Sequence, residues 1–216
     1  PAENIAISCS SGSHYIKLHI SLPAQDMPLH LFNMTAQVNF EDEFELEQLG
    51  LLLASRMCDR FELTRAFSGN LELSLWKEFD YPTSEQLPVE TPAHWVPPFS
   101  PLEPDGAQIK RFANLAQHNY PDSQYPEAFR FPGKVVDMAA GDAFHIVIAC
   151  DRKGNIGGGI SWQFSSEKTV ELFGPYIFTE DAEGEISRQL IDACLERIAR
   201  TPVLICINRN PTLQLP

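Results

Sequence analysis

The chain has 216 residues, of which 44% are hydrophobic and 21% charged, with a formal net charge of −13. This is the composition of an ordinary globular protein. Phosphate binding depends on clustered Lys and Arg, so the charge argues against nucleic acid and anionic membrane surfaces as partners. No apolar run approaches the roughly 18 to 20 residues that cross a bilayer, and the first residues lack a secretory pattern. We therefore expect a cytoplasmic protein.

A proline-rich segment divides the chain. Seven prolines lie between Pro82 and Pro104. Proline fixes φ and has no backbone N–H, so this stretch is typical neither of a helix interior nor of a central strand. We predict an N-terminal domain over residues 1–80, an extended linker over 81–104 and a C-terminal domain over 105–216.

The N-terminal domain shows both strand and helix patterns. Alternating apolar residues predict strands at Asn4–Cys9 and His14–Ser21. Apolar residues at i+3 and i+4 spacing predict a helix over Glu41–Phe61. Glu62–Phe67 and Leu71–Trp76 are predicted to form a hairpin around a Ser-Gly-Asn turn.

This order of elements is similar to the C-terminal half of the ATP-binding domain of anti-sigma factor kinases, within the histidine-kinase-like ATPase superfamily. The residues that carry the resemblance are Leu49–Phe61 and the hairpin segment Phe67–Leu73. It implies a small α/β sandwich that departs from the family where ATP would bind. The Mg²⁺-ligating Asn helix has no counterpart, Asp26 lacks the glycine of the adenine motif, and only Gly50 remains of the lid glycines. We therefore do not expect ATP binding.

The C-terminal domain combines amphipathic helices with buried strands. Helices are predicted over Ala107–His118, Val135–Ala140 and Glu185–Arg200, and strands over Phe144–Cys150, Ile156–Phe164, Thr169–Phe178 and Val203–Asn208. Gly174-Pro175 interrupts the third strand, because proline removes a ladder donor.

The strand, strand, strand, helix, strand order over residues 144–208, with this interruption, resembles the core of the GNAT superfamily of N-acetyltransferases. The resemblance implies an α/β (α+β) fold: a GNAT-like mixed sheet with flanking helices. In GNAT numbering Thr169–Phe178 corresponds to the fourth strand and Val203–Asn208 to the fifth. The chain ends soon after this fifth strand, so we expect a fragment of a longer protein. In GNAT proteins the fourth and fifth strands splay apart and admit the pantetheine arm of acyl-CoA. The pyrophosphate binds backbone amides at a helix N-terminus.

The resemblance places the coenzyme site where the Thr169–Phe178 strand meets the next helix. The residues implied for acetyl-CoA, or another acyl-CoA, are Ile177, Phe178, Thr179, Gly184, Glu185, Ile186 and Ser187. Four carboxylates crowd positions 180–185, and each would cost on the order of 1 kcal/mol beside a diphosphate. They either complement an unoccupied helix N-terminus or form an altered coenzyme loop.

The same resemblance implies two catalytic residues. GNAT enzymes commonly use a Glu near the fourth strand as general base and a Tyr after the fifth strand as general acid. Glu171 and Tyr176 lie in or beside the fourth strand here and are the candidate catalytic residues, and we expect the element that carries the family's acid to follow Pro216. The structural alternatives are an exposed strand residue for Glu171 and a packing residue for Tyr176. No Cys or His cluster has metal-ligand spacing, so we expect no metal site.

These observations leave three functions open. The first is a bacterial regulatory or metabolite-sensing protein, in which a degenerate ATPase-like module and a GNAT-like acyl-CoA-binding fold bind a protein partner or a metabolite without catalysis. The second is an active acyl-CoA-dependent N-acetyltransferase that acts on an amine. The third is a purely structural module. The oligomeric state does not follow from the sequence.

Overall fold

The computed structural model describes residues 5–23, 54, 56–84 and 94–209. The chain divides into two compact units, Pro1–Asp80 and Tyr81–Pro216. The protein has a mixed α/β structure, and its described residues form two sheets and three helices of nine or more residues. None of the described helices combines the length and the hydropathy of a membrane span.

The first unit is built on a four-stranded antiparallel sheet in the order β1-β2-β4-β3. Its strands are β1 (Ala6–Ser11), β2 (Tyr15–Leu22), β3 (Arg60–Arg65) and β4 (Leu71–Glu78). All four predicted strands are confirmed, with ends shifted by a few positions. Gly69 lies in the turn between β3 and β4 at a φ of 90°, which glycine adopts without a steric penalty.

The predicted helix over Glu41–Phe61 lies mostly outside the described residues. Arg56 and Met57 are helical. Arg60 and Phe61, however, belong to β3, so the predicted C-terminal end of the helix is wrong. These two residues pair with Trp76 and Leu75 in the β3–β4 ladder, and such tertiary pairing overrides a local helical pattern. The positions of Asp26 and Gly50 in the ATP-site comparison also lie outside the described residues.

The second unit contains a five-stranded mixed sheet in the order β5-β6-β7-β8-β9. The strands are β5 (Ser100–Leu102), β6 (His145–Cys150), β7 (Ile156–Ser166), β8 (Thr169–Ile177) and β9 (Ile205–Asn208). β5 to β8 are antiparallel neighbours, whereas β9 runs parallel to β8. β9 pairs only with Thr169–Leu172, before the Gly174-Pro175 interruption.

Helices cover both faces of this sheet. They are α1 (Gly106–Asn119), α2 (Pro132–Ala140) and α3 (Glu185–Ile198). The buried residues form two apolar clusters: one contains Ile146 and Ile148 with residues of α1 and α2, and the other contains Val147 and Ala149 with residues of α3. Successive strand residues point to opposite faces. β6 is therefore buried on both faces, as its unbroken apolar run predicts.

Helix ends in this unit differ slightly from the predicted ones. α2 begins three residues before the predicted Val135, at Pro132, because proline suits the first helical position. α3 ends at Ile198, before the predicted Arg200, and β9 begins at Ile205 rather than Val203. α1 begins at a capping box, in which Asp105 and Gln108 each bond the backbone N–H of the other.

The predicted linker over 81–104 lies within the second unit, which begins at Tyr81. The Tyr81 hydroxyl donates a hydrogen bond to Asp137 (2.6 Å). Ser100–Leu102 forms an edge strand on β6, a position that tolerates proline because only one side of the strand is paired. Residues 85–93 of the predicted linker lie outside the described residues.

Candidate functional site

The acidic loop after β8 folds back onto the first turn of α3. One oxygen of the Asp181 carboxylate accepts a hydrogen bond from the Ile186 N–H (2.8 Å). The other accepts from the Ser187 N–H (3.0 Å) and the Ser187 hydroxyl (2.6 Å). Amides in a first helical turn have no partner within the helix. The Asp181 side chain therefore supplies the anion at the N-terminus of α3.

Gly184 makes this return of the chain possible. It lies directly before α3 at a φ of 68°, in the left-handed region that glycine favours. Glu183 also has a positive φ, of 58°. The glycine implied by the resemblance for coenzyme binding thus has a local role, because it lets Asp181 reach the helix amides.

A second predicted coenzyme contact, Ile177, also has an internal partner. The Tyr120 hydroxyl, directly after α1, accepts from the Ile177 N–H (2.7 Å) and lies 3.2 Å from the Ile177 carbonyl oxygen, to which it donates. The neighbouring Phe178 N–H bonds to Gly157 of the adjacent strand. Successive residues of a strand direct their backbone groups to opposite sides. The Ile177 groups therefore face away from β7, on the side where β9 no longer pairs, and Tyr120 satisfies them.

Tyr176, one of the two candidate catalytic residues, is in the core of the unit. Its side chain is fully buried, and its hydroxyl donates to the Gln124 carbonyl (2.8 Å). The rings of Phe112, Tyr120 and Phe129 lie within 6.1 Å of its own. Burial, with a smaller effect of Tyr120, raises the pKa of Tyr176 well above its usual value. These contacts are those of a packing residue.

Glu171, the predicted general base, is held in an ion pair. Its carboxylate accepts from Arg209 (2.5 Å) and from Gln163 (3.2 Å) on the neighbouring strand. The bond from Arg209 lowers the pKa of Glu171, and although burial opposes it, the pKa stays below its usual value. A carboxylate with a lowered pKa is a weak general base at neutral pH. A cleft lies beside α3, lined by residues of the acidic loop, the first turn of α3 and the segment 95–99. Neither predicted catalytic residue lines this cleft.

That cleft has a volume of about 480 Å³. Its lining combines two aromatic rings, apolar atoms and three carboxylates: Trp95, Pro97, Phe99, Thr179, Glu180, Asp181, Glu185 and Ile186. It brings together only three of the predicted coenzyme residues, Thr179, Glu185 and Ile186. Phe178 instead packs against the core, with its ring 6.0 Å from Phe112.

The aromatic wall of the cleft is fixed from two sides. The Asp151 carboxylate accepts from the Val96 N–H (3.0 Å) and ties this segment to the turn after β6. The Phe99 ring lies over Gly157, where a Cβ atom would come within 2.3 Å of it. Asp151 also accepts three bonds within its own turn, from Lys153 and Asn155. Asp151 is not among the site residues predicted from the sequence.

No group of three His, Cys, Asp or Glu in the described part of the chain is arranged to hold a metal ion. No protein-family model matches the chain, and no curated protein is detectably similar to it.

Proposed function

We propose that the chain is a bacterial regulatory or metabolite-sensing protein that binds ligands or partners and does not transfer acyl groups. The observation that carries the proposal is the Asp181 cap. Its carboxylate bonds the α3 amides that a coenzyme pyrophosphate would need. A protein that filled this position with its own side chain would retain the shape of a coenzyme-binding fold without its anion site.

The energetics of the cap favour this proposal. A hydrogen bond to a charged group contributes about 1.5–3 kcal/mol, and Asp181 accepts three. The helix N-terminus attracts an anion by only about 0.3–2 kcal/mol. A diphosphate would have to displace Asp181 while close to Glu180 and Glu185. Its net gain at this position would be small.

The predicted catalytic residues point in the same direction. Glu171 is paired with Arg209, and Tyr176 is fully buried. Neither is poised to remove a proton from a substrate amine or to return one to a thiolate. This favours binding over catalysis.

Two family resemblances supply the proposed fold of each unit and the proposed protein partner. A GNAT-like fold is supported by the parallel β8–β9 pair, by α3 between these strands and by the end of the pairing at Leu172. An ATPase-like first unit is supported by its antiparallel sheet. The similarity of this unit to anti-sigma factor kinases is the reason to propose a protein partner in a bacterial signalling pathway.

An active N-acetyltransferase is the second candidate. It is favoured by the side of β8 beyond Leu172, which no strand of the described residues pairs and which an acyl-CoA arm could occupy if Tyr120 moved away from Ile177. In that case acetyl-CoA would bind the unmodified protein, and an amine would be acetylated.

Calorimetric titration with acetyl-CoA separates the two candidates. We expect no heat of binding from the unmodified protein at millimolar coenzyme. Asp181→Ala should free the α3 amides and bring measurable affinity. Glu183→Ala is the matched control, because it removes an exposed charge from the same loop and leaves the cap intact. Submillimolar binding by the unmodified protein, with transfer to an amine, would contradict the proposal.

A further inference from the structure

The cleft beside α3 is lined in a way that suits a cation better than a phosphate. We infer that it binds an organic ammonium group, carried by a small amine or by a lysine side chain. The inference rests on the proposed function, since it names the class of ligand that such a protein would sense. The carboxylates, the aromatic wall and the size of the cleft carry it.

The net charge of the cleft is negative. Three carboxylates line it, from Glu180, Asp181 and Glu185, and its lining residues in the described part of the chain include no Lys, Arg or His. The N-terminus of α3 offsets only about half of one charge. The Asp181 carboxylate already accepts three hydrogen bonds from Ile186 and Ser187. Glu180 and Glu185 are exposed at the cleft.

The aromatic residues of the lining suit an alkylated cation. The rings of Trp95 and Phe99 lie 5.8 Å apart and are tilted by 51°. An ammonium group over such rings gains about 0.5–2 kcal/mol from the ring quadrupoles. Its methylene groups would contact Pro97 and Ile186, the apolar residues of the lining. A bare metal ion is less suited, because hard cations require several converging oxygen ligands and no three acidic side chains among the described residues are arranged to hold one.

The size and rigidity of the cleft also fit a small organic ligand. Its volume of about 480 Å³ falls within the range of roughly 300–1,000 Å³ for small-molecule sites. Asp151 fixes Val96, and Phe99 rests on Gly157, so the wall exists before a ligand arrives. A preformed wall lowers the ordering cost of binding.

The test is calorimetry on the full chain with three ammonium probes at matched ionic strength: spermidine, choline and Nα-acetyl-lysine-N-methylamide. We expect at least one to bind with a submillimolar Kd. The double variant E180Q/E185Q should weaken binding about tenfold or more. Glu183→Gln, which removes a carboxylate outside the cleft lining, should leave the Kd within about twofold. Gly157→Ala, which displaces Phe99, should also weaken binding.

The pattern of results distinguishes the sources of the ligand. Binding of spermidine or choline supports a free amine, and binding of the lysine amide alone supports a lysine side chain of a partner. No binding by any probe at millimolar concentration would overturn the inference. So would equal weakening by Glu183→Gln and the double variant, or tighter binding of MgCl₂ than of every amine. Acetyl transfer by the unmodified protein would instead defeat the proposed function and leave measured ammonium binding standing.

Discussion

Replacing Asp151 tests how the wall of the cleft is held. The side chain is only 5% exposed and accepts four hydrogen bonds of 2.8–3.0 Å from Val96, Lys153 and Asn155. In Asp151→Ala three backbone N–H groups lose their acceptor. A buried donor without a partner costs about 1–3 kcal/mol, and water will reach part of this turn because Arg152 and Lys153 are exposed. We expect the free energy of unfolding of the second unit to fall by about 2–4 kcal/mol.

The pH dependence of this effect has a defined sign. Burial alone would raise the pKa of Asp151, but the bonds from Asn155, Val96 and Lys153 outweigh it and leave the pKa below its ordinary value. A carboxyl with a lowered pKa stabilises the fold fully above its unfolded pKa of about 3.9. That contribution is lost as the pH falls through the folded pKa. The difference between the wild type and Asp151→Asn should therefore be constant from about pH 5 to 7 and shrink below about pH 4.

Urea denaturation provides the measurement. Trp162 is buried in the second unit, so its fluorescence reports the unfolding of that unit once Trp76 and Trp95 are replaced by Phe. Amide exchange at Val96 should accelerate in both Asp151 variants. A loss below about 0.5 kcal/mol for Asp151→Ala, or a difference that grew on acidification, would refute the reasoning.

Two further predictions concern the sheet. Gly159→Ala should lower the free energy of unfolding by about 1–3 kcal/mol in urea, since its Cβ would lie 2.4 Å from the Phe112 ring; an unchanged urea midpoint would contradict that contact. Glu171→Gln should cost under about 1 kcal/mol, because its partner Arg209 is 55% exposed. The pKa of Glu171 is lowered, chiefly by Arg209, so this cost should be constant above about pH 5 and shrink as the pH falls below about 4. A larger cost that persisted in acid would exclude the ion pair as its cause.

Local patterns predicted four of the five strands of the second unit, whereas β5 lies in the segment predicted as a linker. Phe144–Cys150 is an unbroken apolar run that becomes β6, buried on both faces. The Gly174-Pro175 interruption of β8 was also predictable, because proline cannot donate to a ladder. These features depend on a few neighbouring residues. The α/β class follows from them.

The site depends on contacts between distant residues, and local patterns do not encode them. Tyr120 bonds Ile177 across 57 positions, and Val96 bonds Asp151 across 55. The Asp181 cap could have been predicted from the sequence, because Asp181 lies only five residues before Ile186, whose amide it bonds. The sequence left open whether the acidic loop capped a helix or altered a coenzyme site, because both need carboxylates near free amides. The observed bonds favour the cap.

An internal carboxylate at a helix N-terminus changes which ligands the surrounding cleft can hold. A diphosphate would have to break the Asp181 bonds and then lie beside Glu180 and Glu185. An ammonium group would leave those bonds in place and reduce the repulsion among the three carboxylates. Weak affinity for acyl-CoA and affinity for an amine would therefore share one electrostatic cause. Removing Asp181 should raise the affinity for acyl-CoA and lower the affinity for an amine, whereas two unrelated sites would respond independently.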